Sequence, residues 1–258
     1  MKKVQIVMIK ILPAISIGLF IFFWINISKG DDSLIPSPLA VFQRFQRLLV
    51  KPIAKISILG HIWASMKRVL LGLLFGCLLG IPFGLLIGWN KKFNNTFKPL
   101  FELIRPIPAL AWIPLLTLWL GIGEISKVCL VFISCFMPIV VNTYSGVKLI
   151  PKINLNVGRI CGADNRQLVT SIVIPSCLSA IMAGITTAMG TGWVVVLAAE
   201  MISANEGLGF LIIRGSDVSD LALVIFAMLL IGSLGALMSG LLKMLQKRMC
   251  PWESKAQN

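Results

Sequence analysis

The sequence predicts an all-α integral membrane protein, with six transmembrane helices and a cytoplasmic helix–turn–helix elbow between the fourth and fifth spans. Three observations lead there. Of 258 residues, 57% are hydrophobic, and the mean hydropathy is +0.90. Charged residues make up 13%, about half the roughly 25% of a soluble domain. Six apolar stretches contain no Lys, Arg, Asp or Glu: residues 11–27, 69–89, 106–123, 128–147, 172–199 and 221–242. Each is near the roughly 20 residues that a membrane helix needs. One transmembrane domain over residues 1–258 accounts for them.

The first stretch follows MKK, as a signal peptide's would, but no A-x-A site follows it, and Trp24 and Asn26 stand near its end. It is expected to remain as the first span. Six spans return both termini to one side. With the termini in the cytoplasm, fifteen Lys and Arg lie in the cytoplasmic segments and nine in the opposite ones. That is the bias of the positive-inside rule. The formal charge of +14 therefore reads as topology and not as a nucleic-acid surface. Between the first two spans, Val41, Phe42, Phe45, Leu48 and Leu49 recur at helical spacing after Pro36 and Pro38. An amphipathic helix over about 38–50, lying along the outer surface, is expected.

The second span carries Gly72, Gly76, Gly80, Gly84 and Gly88, one every four residues. They fall on one face, where a neighbouring backbone can approach closely. Residues 90–105 connect the second and third spans, with Glu102 and Arg105 spaced to pair across one helical turn. The third span opens with Pro106, Pro108 and Pro114. Prolines at this density prevent a plain helix, and freed carbonyls at membrane depth need protein or a water-filled cavity beside them. Glu200 ends the fifth apolar run. An acid there is either a functional group of the path or a carboxylate at the outer interface. Asn142, Thr191, Trp193 and Glu200 are the candidate path residues, and no embedded Arg or Lys stands out to join them.

Residues 151–171 are the polar exception. Pro151 suits the start of a helix. Ile153, Val157 and Ile160 give it an apolar face, and Gly162 suits a left-handed C-cap. Asp164 and Gln167 have capping-box spacing for a second helix running to Ile174, and Pro175 opens the membrane run. The apolar face calls for the bundle underside or a partner's groove.

Here the sequence resembles the integral membrane subunits of binding-protein-dependent ATP-binding-cassette importers. Their cytoplasmic motif is Glu-Ala-Ala-x-x-x-Gly, nine residues, then Ile-x-Leu-Pro. Gly162, Ile172, Ile174 and Pro175 stand at the matching spacing, while Asn156, Val157 and Gly158 replace the opening Glu-Ala-Ala. LIPSPLAVF, RPIPALAWIPLLTLWLGIGEISK and VVVLAAEMISANEGLGFLI extend the resemblance to the branch importing alkanesulfonates, taurine and nitrate. The resemblance implies a permease subunit of a bacterial inner-membrane importer, working as a homodimer. Its partners are two cytoplasmic ATPase subunits, which bind ATP and Mg, and an extracytoplasmic solute-binding protein; its surroundings are membrane lipid. It also implies that Asn156, Val157, Gly158, Ile160, Gly162, Ala163, Asp164, Ile172, Ile174 and Pro175 form the coupling elbow.

Other classes fit less well. The chain lacks G-x-x-x-x-G-K-[ST], so no ATP site of its own is expected. It has one His and no H-E-x-x-H, and none of its six Cys form a C-x-x-C pair. No catalytic residue, metal site or bound cofactor is therefore expected. An ion-coupled secondary transporter is the alternative, but it calls for ionisable groups within spans and for internal repeats.

Overall fold

A computed structural model describes residues 2–29 and 35–251, with side chains at 12, 15–29 and 35–251. Lys255, which entered the count of basic residues, lies outside them. Every described regular element is helical: α1 (Lys2–Ile27), α2 (Pro38–Val50), α3 (Ile58–Trp89), α4 (Lys91–Ile104), α5 (Ile113–Leu120), α6 (Glu124–Lys148), α7 (Lys152–Ile160), α8 (Asn165–Gln167), α9 (Ile174–Ser203), α10 (Leu208–Asp217) and α11 (Leu221–Met249).

Four of these helical runs are long and apolar enough to cross a membrane: Ile58–Trp89, Glu124–Lys148, Asn165–Ser203 and Leu221–Met249. The third predicted span is not a continuous helix. Pro106 and Pro108 follow the end of α4, and Lys91–Ile104 is bent by 86° from Ala109–Leu120, which opens with a 3-10 turn over Ala109–Trp112. Such a bent pair is either a broken span or a re-entrant loop. The first predicted span is represented by the shorter apolar segment Ile15–Ile27. The second span also starts earlier than hydropathy indicates: α3 begins at Ile58, eleven residues before Val69, because polar His61, Ser65 and Arg68 are buried in its first turns.

The chain packs as two units. One comprises Met1–Ile58 with Leu211–Leu230. Here Ser37 caps α2 by accepting from Ala40 N at 3.2 Å, with Pro38 at the first helical position. A helix forms over the expected residues. Val41 and Leu48 are buried and Phe42 and Leu49 exposed, so its apolar residues divide between two sides. Phe45 packs on Phe226, with ring centroids 5.4 Å apart, and Arg44 pairs with Asp220 at 2.5 Å. Asp220 also caps α11, accepting from Leu223 N at 3.0 Å.

The second unit comprises Leu59–Phe210 with Ile231–Asn258. Its centre is α6. On one side the glycine stripe of α3 meets every fourth residue of α6: Gly72 faces Val131, Gly76 Cys135, Gly80 Ile139, Gly84 Thr143 and Gly88 Val147. A Cβ at Gly84 would stand 2.7 Å from the Thr143 Cβ and 2.9 Å from the Val140 carbonyl, so the helices approach only because hydrogen occupies that space. On the other side Gly184 and Gly192 of α9 meet Asn142 and Cys135, and Gly146 of α6 meets Cys177 and Ala180.

Helix α4, in the stretch that reads as a connection, is amphipathic. Asn90 caps it, accepting from Lys92 N at 2.9 Å and Phe93 N at 3.2 Å. Phe93, Phe97 and Phe101 then pack on Phe83, at centroid distances of 5.5, 6.2 and 6.1 Å. Glu102 pairs with Lys98 at 3.6 Å and not with Arg105, which makes no ion pair among the described residues. All six cysteines are free.

Candidate functional site

The polar elbow is built by local rules. Helix α7 follows Pro151 and ends at Gly162, whose φ of +82° is left-handed. Gly162 N donates to Arg159 O and Ala163 N to Gly158 O, each at 3.0 Å. These are the two bonds of a Schellman ending. Asp164 then caps the next helix. Its Oδ1 accepts from Gln167 N at 2.6 Å, and Gln167 Oε1 accepts from Asp164 N at 2.9 Å. The helix runs on from α8 through a π-type turn over Leu168–Val173 into α9. That turn lies just ahead of Pro175, which has no N–H to donate to the ladder.

Packing decides which face of α7 is bare. Leu155 joins the cluster of Val147, Ile150, Val173, Cys177 and Ile181, with Leu85 and Trp89 of α3 against it. Gly158 is buried, and a Cβ there would meet the tips of Ile172 and Leu168 at 2.6 and 2.7 Å. The glycine that interrupts the Glu-Ala-Ala pattern thus lets α7 lie close on the helix behind it. Ile153, Val157 and Ile160 point away and are 64%, 51% and 85% exposed. Asn156 is exposed, Ala163 half-buried, Ile172 and Ile174 half-buried, and Pro175 exposed.

The candidate path residues divide. Asn142 and Thr191 share an open cavity of about 560 Å³ with Arg105, Ser134 and Thr187, walled by the broken turn at Pro106 and Pro108. Trp193 and Glu200 are not part of its wall. Trp193 is buried against Gly235, and its indole N–H has no acceptor among the described residues.

Glu200 belongs to a buried ion cluster, and this corrects the expectation of no embedded base. Arg68 is 1% exposed and Glu200 fully buried. Arg68 Nη1 donates to Glu200 Oε1 at 2.7 Å and to Glu206 O at 3.1 Å. Nε and Nη2 grip Glu124 in a two-pronged pair at 2.6 and 2.7 Å, and Nη2 also reaches Glu206 Oε1 at 3.2 Å. All five guanidinium hydrogens thus have acceptors. Glu200 Oε2 accepts from Ser65 Oγ at 2.8 Å and Gly209 N at 3.0 Å, and Lys127 pairs with Glu124 at 3.1 Å. Gly207, at φ +116°, wraps the carboxylate where a Cβ would collide with it. Hydropathy hid Arg68, since it stands one residue before the apolar run begins.

From Arg68 to Trp89, α3 rises about 30 Å, the thickness of a bilayer's hydrocarbon core. The ion cluster and the elbow therefore occupy opposite ends of the bundle. Residues 80–250 match the family described as the binding-protein-dependent transport system inner membrane component. The chain belongs to this family. The permease is 32% identical to the taurine transport system permease protein TauC of Escherichia coli over 197 residues, covering 76% of this chain and 74% of that one. It is 31% identical to the nitrate import permease protein NrtB of Synechocystis over 248 residues, covering 94% and 90%. Its fold matches an inward-facing MetNI methionine ABC transporter with a TM-score of 0.66 at 18% identity, over 80% of this chain and 98% of that one.

Proposed function

We propose that this permease forms the membrane path of an ATP-driven importer for a small anionic solute of the taurine, alkanesulfonate or nitrate type. It works as a homodimer in the inner membrane, with both termini cytoplasmic. The six spans are α1, α3, the broken α4–α5 pair, α6, the helix of residues 165–203, and α11. An extracytoplasmic binding protein delivers the solute. Two cytoplasmic ATPase subunits bind ATP and Mg and hydrolyse the nucleotide; the permease itself binds no cofactor.

The observation that carries this reading is the bare apolar face of α7. Three large aliphatic side chains stand exposed on a short helix, closed by a left-handed glycine and rooted in the bundle, an arrangement that suits insertion into a groove of a partner. With Asn156 in place of a carboxylate, docking rests on Ile153, Val157 and Ile160 rather than on an ion pair. Asp164 and Gly162 fix the turn, and Ile172, Ile174 and Pro175 pass its displacement into α9. ATP-driven closure of the ATPase pair would then switch the bundle between two arrangements. The ion-coupled alternative gains nothing from the family match.

The test is reconstitution of the permease with its ATPase and binding protein in proteoliposomes. ATP hydrolysis should rise when the binding protein carries one of taurine, an alkanesulfonate or nitrate. An ATPase that fails to co-purify with the permease would sink the reading.

A further inference from the structure

The cavity at the break between α4 and α5 has an unusual polarity. Arg105 is the one charged residue in its wall, and it makes no ion pair among the described residues. The other polar groups have already used hydrogens on backbone carbonyls. Ser134 Oγ donates to Val131 O at 2.8 Å, Thr187 Oγ1 to Ala183 O at 3.0 Å, and Thr191 Oγ1 to Ala188 O at 3.1 Å. Asn142 Nδ2 donates to Pro138 O at 2.8 Å. A hydroxyl has one hydrogen, so these hydroxyls retain lone pairs, while Asn142 retains its carbonyl oxygen and one of its two amide hydrogens. Pro106, Pro108 and Pro138, also in the wall, have no N–H to offer. The wall is thus mostly apolar, with a cation at one point and, on Ser134, Asn142, Thr187 and Thr191, more acceptor oxygens than free hydrogens.

We propose that this cavity is a solute-contact site selecting molecules that carry an anionic head and a hydrogen-bond donor, of the aminoalkanesulfonate class, over bare oxyanions. The planar guanidinium of Arg105 takes the sulfonate through two parallel bonds. The ammonium end meets Asn142 Oδ1 and the oxygens of Thr187 and Thr191. Nitrate has no donor, so it meets Arg105 and the remaining Asn142 N–H and leaves the threonine oxygens without a partner on the ligand. A site that bonds a ligand's donor disfavours the analogue without it, because those contacts are then lost. The inference rests on the permease reading above, and the test keeps the two apart.

The measurement is equilibrium binding of radiolabelled taurine to the purified permease–ATPase complex without binding protein, with displacement by ethanesulfonate, which lacks the amine, and by nitrate. Taurine should bind about ten-fold or more tighter than either. Arg105→Gln should weaken taurine about ten-fold or more, with Arg105→Lys partly restoring it. Asn142→Ala should weaken taurine but leave ethanesulfonate unchanged, a split that a general packing defect does not produce. Nitrate binding as tightly as taurine, no saturable taurine binding, or equal losses for both sulfonates in Asn142→Ala would overturn the assignment. Failure of the ATPase to co-purify refutes the permease reading instead.

Discussion

Replacing Arg68 by Met is the sharpest perturbation of the fold. The side chain has the right length to fill the space, so what is lost is charge and hydrogen bonding. Arg68 and Lys127 face Glu124, Glu200 and Glu206; without Arg68 three acids remain against one base. Glu124 and Glu206 are 58% and 43% exposed, so water replaces most of what they lose, and each contributes about 0–1 kcal/mol. Glu200 is fully buried and keeps only Ser65 Oγ and Gly209 N. Stranding one member of a buried pair costs about 3–5 kcal/mol, and that cost dominates. At roughly 2–4 °C per kcal/mol for a chain of this size, the melting temperature in detergent should fall by about 6–20 °C. The double variant Arg68→Met with Glu200→Gln removes the stranded charge and should recover about 2 kcal/mol or more. Amides of Gly207, Leu208 and Gly209, tied to His61, Ser65 and Glu200, should exchange faster in the single variant. A drop of less than about 1 kcal/mol, or a double variant as unstable as the single, would refute the claim that this pair anchors the segment before α10.

Other outcomes follow from packing and turn geometry. Gly84→Ala drives a methyl into Thr143 and the Val140 carbonyl and should cost about 1–3 kcal/mol in thermal unfolding. Gly190→Ala meets nothing within 4 Å and should be neutral or stabilising by about 0.5–1 kcal/mol. Gly162→Ala puts a Cβ at φ +82° and should cost about 1 kcal/mol, with ATPase stimulation in the reconstituted importer reduced because the elbow's turn loosens. Ile160→Asp, at an 85% exposed position, should leave the melting point within about 0.5 kcal/mol yet abolish co-purification of the ATPase; a normal yield of complex would show that this face does not dock.

The elbow was legible because its signals are local. Pro151, Gly162, Asp164 and Gln167 each act on backbone groups within a few residues, and the structure uses each as its type and spacing indicate. Helix α2 was legible for the same reason. The glycine stripe of α3 announced a close contact but not with which helix, since Val131, Cys135, Ile139, Thr143 and Val147 carry no mark of their partner. Arg68 and Glu200 are 132 residues apart, and no local rule joins them. Helix α4 was hidden because Asn94, Asn95, Thr96 and Pro99 dilute the regular spacing of Phe93, Phe97 and Phe101. Pro106 and Pro108 signalled a break, while its 86° bend depends on where α5 finds its packing against α6.

The account turns on α7 docking into an ATPase. The direct measurement is disulfide cross-linking of Ile160→Cys, in a background where exposed Cys161 is Ser, to single cysteines lining the ATPase groove, with no nucleotide, with ATP held unhydrolysed, and with ADP. The account predicts a cross-link whose yield or preferred partner position changes with nucleotide. No cross-link in any of the three states would contradict it.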